Sequence, residues 1–80
     1  MRIKIRLNES RCDLNVTGNT TIRELKQILS SRIGRNCWNY LFSDNPNGAP
    51  MHDYETLDYY DIDDGETIFV TPPDLMVAFQ

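Results

Sequence analysis

The stretch TIRELKQILSSRIG, residues 21–34, has a helical period that organises the rest of the chain. Its apolar residues recur at helical spacing and make one stripe: Ile22, Leu25, Ile28, Leu29 and Ile33. Polar residues fill the opposite face: Arg23, Lys26, Gln27, Ser30 and Arg32. Thr21 and Glu24 have the spacing of a capping box, and Gly34 suits the left-handed end of a helix. A helix of about a dozen residues is marginal alone in water, so this stripe must pack against a sheet.

Short alternating segments on both sides of the helix predict the strands of that sheet. Residues 2–7 and 12–16 alternate apolar with polar side chains across the polar turn 8–11, which predicts an antiparallel hairpin. The later segments predict a strand over 37–42, a loop over 43–50, a very short strand at Met51, a helical turn over 54–62 capped by Thr56 or Asp58, and a last strand over 67–70. Because the helix is a crossover, the first and last strands should lie parallel. The predicted fold is an α+β roll with a mixed sheet of four to five strands on one main helix.

Composition narrows the classes of function. Eighty residues make one domain, and two cysteines are too few for a disulfide scaffold. Without a long apolar run or a signal peptide, we expect no membrane contact and a location in the cytoplasm, the nucleus or both. The net charge of −4 is split, because residues 1–35 carry +5 and the remainder carries −9. This split argues against a nucleic-acid partner, which requires a basic field.

Three segments resemble ubiquitin and the ubiquitin-like domains. They are the opening Met1–Ile5, the helix start at residues 21–26, and residues 56–68, TLDYYDIDDGETI, while residues 40–42 fit a third strand. The resemblance covers residues 1–71 and implies the β-grasp fold. It also implies that the hydroxyl of Tyr60 ties the nearby loop to the backbone. Residues 72–80, with a Pro-Pro break and an apolar tail over 75–79, are expected to begin a linker or a following domain, and the alternative is that the tail docks on the domain itself.

One departure from this family bears on function. Conjugated members end in Gly-Gly, whereas the last glycine of this sequence is Gly65, and only Lys4 and Lys26 could accept an isopeptide bond. We therefore expect a non-conjugated ubiquitin-like domain that binds other proteins. Its expected partner is a ubiquitin-receptor-like helix or another component of the ubiquitin pathway or proteasome, and the domain is expected to be a monomer at the N-terminus of a larger protein.

The open face of the predicted sheet is where ubiquitin binds its receptors. Transferred by position, the resemblance implies a partial apolar patch of Leu41 and Phe69, with Thr71 in place of a valine. The expected binding residues are Leu41, Phe69, Lys4, Arg6, Thr71 and Asn39. An apolar pair with basic neighbours suits an amphipathic helix that carries acids at its edge. Two exposed apolar side chains are, however, ordinary on any protein surface.

Head-to-tail self-association is the alternative function. A basic first strand and an acidic turn, similar to those of Phox/Bem-type domains, could pair between molecules: Arg2, Lys4 and Arg6 with Asp61, Asp63, Asp64 and Glu66. A contact of this kind builds filaments unless it closes, and salt should weaken it. Acidic runs are more often simply solvated surface.

Catalysis has little support in the sequence. His52 has no nucleophile placed beside it, and Cys12 and Cys37 lie on different elements, so we expect no enzyme, no metal, no cofactor and no disulfide. The remaining aromatic residues are expected in the core or at its edge: Trp38, Tyr54, Tyr59 and Tyr60.

Overall fold

One α-helix packs across a four-stranded sheet in the computed structural model, which describes residues 1–46 and 48–73. The elements in chain order are β1 (Arg2–Leu7), β2 (Ser10–Asn15), α1 (Ile22–Ile33), β3 (Leu41–Ser43) and β4 (Thr67–Thr71). The strand order is β2-β1-β4-β3, with β1 parallel to β4 and the other two pairings antiparallel. The predicted α+β roll is therefore confirmed, including the parallel contact between first and last strands.

The core lies between α1 and one face of the sheet. The predicted inward residues of the strands are buried, except that Leu7 and Cys12 are half-buried and pack against the margin of the core. The largest fully buried side chains are Phe42, Ile3, Ile5, Leu14, Ile22, Leu25, Leu29, Leu57, Ile68 and Cys37. Because α1 occupies this face, the opposite face of the sheet is left open by the described residues, and it is called the open face below.

Both ends of α1 form as predicted. The Glu24 N–H donates to Thr21 Oγ1 at 3.1 Å, and the Thr21 N–H donates to Glu24 Oε1 at 3.0 Å, which completes the capping box. These bonds satisfy amides that the first turn otherwise leaves without partners. Gly34 ends the helix with φ of 70°, a conformation that glycine adopts without a side-chain penalty.

Two side chains of α1 differ from the helical pattern. Ile28, predicted on the apolar stripe, is 38% exposed, whereas Lys26, predicted on the polar face, is only 7% exposed. The buried stripe is centred on Ile22, Leu25 and Leu29, so both Ile28 and Lys26 lie at its edges. The loop that contains Asp53 covers the Lys26 edge and supplies a carboxylate for its charge, while Ile28 faces solvent.

Two strands begin at residues other than those predicted, β2 at Ser10 and β3 at Leu41. The hairpin turn is only Asn8 and Glu9, because Leu7 already pairs with Ser10, and Asn8 takes the positive φ that asparagine tolerates. Residues 37–40 form a turn rather than the start of a strand, with the Tyr40 N–H donating to the Cys37 carbonyl at 3.1 Å. Residues three apart in this turn are both buried, which alternation cannot predict.

The segment between β3 and β4 contains turns and an isolated β-bridge between Thr56 and Thr21, instead of the predicted strand and helical turn. Met51 donates one backbone hydrogen bond to Phe42 but forms no strand, and residues 54–62 form no helix. Thr56 does cap the local turn, as predicted, by accepting from the Tyr59 N–H at 3.1 Å. Asp61, with φ of 56°, leaves the right-handed region and so stops the turn from extending.

The last strand, β4, ends at Thr71, one residue later than predicted. The apolar tail at 75–79 lies outside the described residues. Within the residues that are described, no helix has the length and apolar character required to cross a membrane.

A candidate protein-docking face on the sheet

The open face carries the residues expected to bind a partner, apart from Asn39. Lys4 and Arg6 are exposed on β1, while Phe69 and Thr71 are half-buried on β4. Leu41, on the edge strand β3, is 36% exposed. Their positions follow from strand alternation, because every second residue of a strand faces the same side of the sheet.

Strand register brings several of these residues together. In the parallel pair β1–β4, Arg6 lies beside Phe69 and Lys4 lies beside Thr67. In the antiparallel pair β3–β4, Leu41 lies beside Thr71. Asn39 is exposed in the turn before β3, so no strand pairing places it beside these residues.

Arg11 is a member of this face that sequence reasoning missed. It pairs directly with Arg6 across β1 and β2, so two guanidinium groups stand on adjacent strands. Like charges in this position destabilise a sheet. The predicted four-residue turn left Arg11 in the loop, and only the two-residue turn puts it in register with Arg6.

The basic side chains of this face make no ion pair with any described residue. The ion pair found within residues 1–46 and 48–73 joins Lys26 to Asp53, which does not involve Lys4, Arg6 or Arg11. Asp13 is the strand partner of Lys4 and offsets part of the positive charge. The face is therefore basic on a chain whose net charge is −4.

Two shallow depressions flank the Phe69 side chain. The first has a volume of about 330 Å³ and is lined by Arg6, Asn8, Pro46, Phe69, Val70 and Thr71. The second has a volume of about 200 Å³ and is lined by Lys4, Ile5, Arg6, Arg11, Thr67 and Phe69. Phe69 and Arg6 line both depressions, so an apolar group seated in either one lies close to a positive charge.

The residues considered for self-association adjoin within one molecule. The Arg2 N–H donates to Asp64 Oδ1 at 2.6 Å, and the Lys4 N–H donates to the Glu66 carbonyl at 2.9 Å. Asp61 and Asp63 are exposed in the same region. The acidic turn and the basic strand β1 therefore lie next to each other in one molecule and not at opposite ends of it. Self-association stays a prediction.

The residues considered for catalysis or metal binding remain apart. His52 is exposed, and within the described ranges no three His, Cys, Asp or Glu side chains converge on a common point. Both cysteines are free. Burial raises the pKa of the Cys12 thiol, an effect that Arg32 opposes and Asp13 reinforces, so its reactive thiolate form is disfavoured.

The aromatic side chains divide into two groups. The Tyr60 hydroxyl accepts a hydrogen bond from the His52 N–H at 2.6 Å, which confirms the role that the resemblance implied. Trp38, Tyr54 and Tyr59 were predicted in the core or at its edge, but they are exposed by 37%, 77% and 65%. Their positions in turns outside the sheet explain the error, because no strand or helix directs these rings inward.

Comparison with solved structures identifies the architecture. A ubiquitin from Caldiarchaeum subterraneum superposes with a TM-score of 0.78 at 22% sequence identity, covering 89% of this chain and 90% of that one. The chain has the β-grasp fold of ubiquitin. No family model matches the sequence, and no curated protein matches it. At this identity the likeness establishes the β-grasp fold, and function must be argued from the face itself.

Proposed function

We propose that this β-grasp domain is a non-catalytic protein-interaction module that binds a partner through the open face of its sheet. The observation that carries the proposal is the row formed by Arg11, Arg6 and Phe69. In this row a half-buried aromatic side chain lies beside two arginines that have no carboxylate partner among the described residues. A bound acidic group would relieve the repulsion between the arginines.

The proposed partner is an amphipathic helix with acidic residues along one edge. Its apolar side chains would fill the depressions beside Phe69 and reach Leu41, and its carboxylates would pair with Arg6, Arg11 and Lys4. Thr71 would lie beneath the helix, and Asn39 would contact its end. Receptor helices of the ubiquitin pathway and the proteasome have this general chemistry and are the first partners to test, with cytoplasm and nucleus as the proposed compartments.

An amide-resolved NMR titration with acidic-edged amphipathic helices tests this function. Amide shifts should concentrate on β1, β4 and β3, and higher salt should weaken binding because the charges are exposed. Leu41→Ala should weaken binding by roughly tenfold or more, as expected when a main apolar contact of an interface is removed. Ile28→Ala is the matched control, because Ile28 has nearly the same exposure but lies on α1.

Three outcomes of the same titration would contradict this proposal. Equal loss of affinity in Leu41→Ala and Ile28→Ala would rule out the open face as the specific site. Tighter binding of a helix whose acids are replaced by lysines would rule out the proposed charge pairing. Concentration-dependent broadening of the free domain at residues 2–6 and 61–66, relieved by salt, would favour self-association instead.

A further inference from the structure

A second exposed surface lies on the helix side of the molecule. The guanidinium carbon of Arg23, on the first turn of α1, lies over the Trp38 ring at 4.9 Å from its centroid. It also lies 5.9 Å from the centroid of the Tyr54 ring. We call Arg23, Trp38 and Tyr54 the arginine–aromatic patch. Residues of these three types supply most of the binding energy in many protein interfaces.

The backbone beneath the arginine–aromatic patch is held in place by hydrogen bonds. The Arg23 N–H donates to the Asp53 carbonyl at 2.8 Å, which ties α1 to the residue before Tyr54. The Trp38 N–H donates to Asn36 Oδ1 at 2.9 Å, and the neighbouring Cys37 is fully buried. Because these anchors exist before binding, little further backbone ordering would be needed to bind a partner.

Arg23 has an unused capacity to bind an anion. Two of the carboxylates nearest in the fold are already engaged, since Asp53 pairs with Lys26 and Glu24 bonds with Thr21. Arg23 makes no ion pair with any residue in the described ranges. A ring over the face of a guanidinium leaves the N–H donors at its edge, and those donors match a carboxylate with two parallel hydrogen bonds.

We propose that the arginine–aromatic patch binds an acidic peptide segment of a partner protein. An Asp or Glu carboxylate of the segment accepts hydrogen bonds from Arg23, and an adjacent apolar side chain lies against the exposed Trp38 ring. Tyr54, whose ring centroid is 5.9 Å from the guanidinium carbon, adds a second aromatic surface beside it. The choice of an acidic segment rests on charge complementarity to Arg23.

Single-stranded nucleic acid is the competing occupant, because bases stack on tryptophan, tyrosine and arginine. The net charge of −4 disfavours it, since a nucleic-acid surface requires a broadly basic field. The open face of the sheet and the arginine–aromatic patch lie on opposite sides of the sheet. The domain can therefore bind one partner on each side.

Fluorescence provides a specific test, because Trp38 is the only tryptophan in the chain. The probes are a short peptide of alternating Phe and Glu, the same peptide with Gln for Glu, and oligouridine. The Glu peptide should change Trp38 emission and bind roughly tenfold or more tightly than the Gln peptide. Equal affinity of the two peptides, no response to the Glu peptide at millimolar concentration, or tighter binding of oligouridine would each overturn the proposal.

Variants locate the binding. Arg23→Gln should bring the affinity for the Glu peptide down to that for the Gln peptide, and Arg23→Lys should recover only part of it, because lysine lacks the paired donors. Leu41→Ala should leave this binding unchanged. Loss of binding in Leu41→Ala with no effect of Arg23→Gln would place the peptide on the sheet face and contradict the assignment to the arginine–aromatic patch.

Discussion

Lys26 Nζ lies 2.6 Å from Asp53 Oδ1, and the two partners differ in burial. The Lys26 side chain is 8% exposed, whereas that of Asp53 is 35% exposed. The ammonium group also lies 5.8 Å from the centroid of the buried Phe42 ring. The lysine therefore depends on this carboxylate more than the carboxylate depends on the lysine, because water can still solvate Asp53.

This asymmetry predicts unequal effects of removing each partner. Asp53→Asn should lower the free energy of unfolding by about 2 kcal/mol, because it leaves a buried ammonium group without its counter-ion. Lys26→Met should cost less than about 1 kcal/mol, because its aliphatic stem is replaced by a side chain of similar shape. Urea unfolding of both single variants and the double variant measures the difference. A greater cost for Lys26→Met than for Asp53→Asn would contradict the argument.

The same burial predicts the reactivity of the two lysines. Lys4 is exposed on the open face, while Lys26 is buried and paired. An amine-acylating reagent should modify Lys4 well before Lys26 in the folded domain, as peptide mapping by mass spectrometry would show. The control is the domain in denaturant, where the two lysines should react at similar rates. Comparable rates in the folded state would contradict the buried ion pair.

The Tyr60 hydroxyl should contribute to stability through its bond from the His52 N–H. Tyr60→Phe removes the acceptor and should lower the free energy of unfolding by about 1 kcal/mol. Tyr59→Phe is the control on the adjacent residue, because that ring is 65% exposed and should cost nearly nothing. Thermal unfolding of both variants gives the comparison. An equal change in the two variants would assign no specific role to the Tyr60 hydroxyl.

The capping box should make helix stability depend on pH. The Thr21 N–H and the Thr21 hydroxyl both donate hydrogen bonds to the Glu24 carboxylate. Both bonds lower the pKa of Glu24 from its ordinary 4.5, and the backbone bond has the larger effect. Since the folded pKa lies below the unfolded one, the stabilisation is present above the ordinary pKa and is lost as pH falls through the folded pKa. Glu24→Gln should therefore be less stable than the parent at neutral pH and should approach it in acid.

Thr21→Ala tests the other half of the capping box. This substitution removes the side-chain acceptor for the Glu24 N–H and should cost about 1 kcal/mol at neutral pH. Its Glu24 pKa, followed by NMR, should move back towards the ordinary value because one of the two lowering bonds is lost. An unchanged Glu24 pKa in Thr21→Ala would show that the hydroxyl bond does not form in solution.

Local sequence patterns determined the elements with a clear period. The alternation over residues 2–7 sets the face that each β1 residue occupies, and the spacing of Thr21, Glu24 and Gly34 sets both ends of α1. The parallel pairing of β1 with β4 follows from a single crossover helix. The residues expected on the open face, apart from Asn39, therefore fall on strand positions that the sequence could place.

Only the tertiary structure decided which residues those elements meet. The two-residue hairpin turn sets the register that puts Arg11 opposite Arg6, and the loop carrying Asp53 buries Lys26 while Ile28 stays exposed. Trp38 and Tyr54 flank Arg23 through turns that bring distant segments together. Periodicity reports the direction of a side chain relative to its own element. The contacts of that side chain depend on segments remote in sequence, which only the folded chain brings into place.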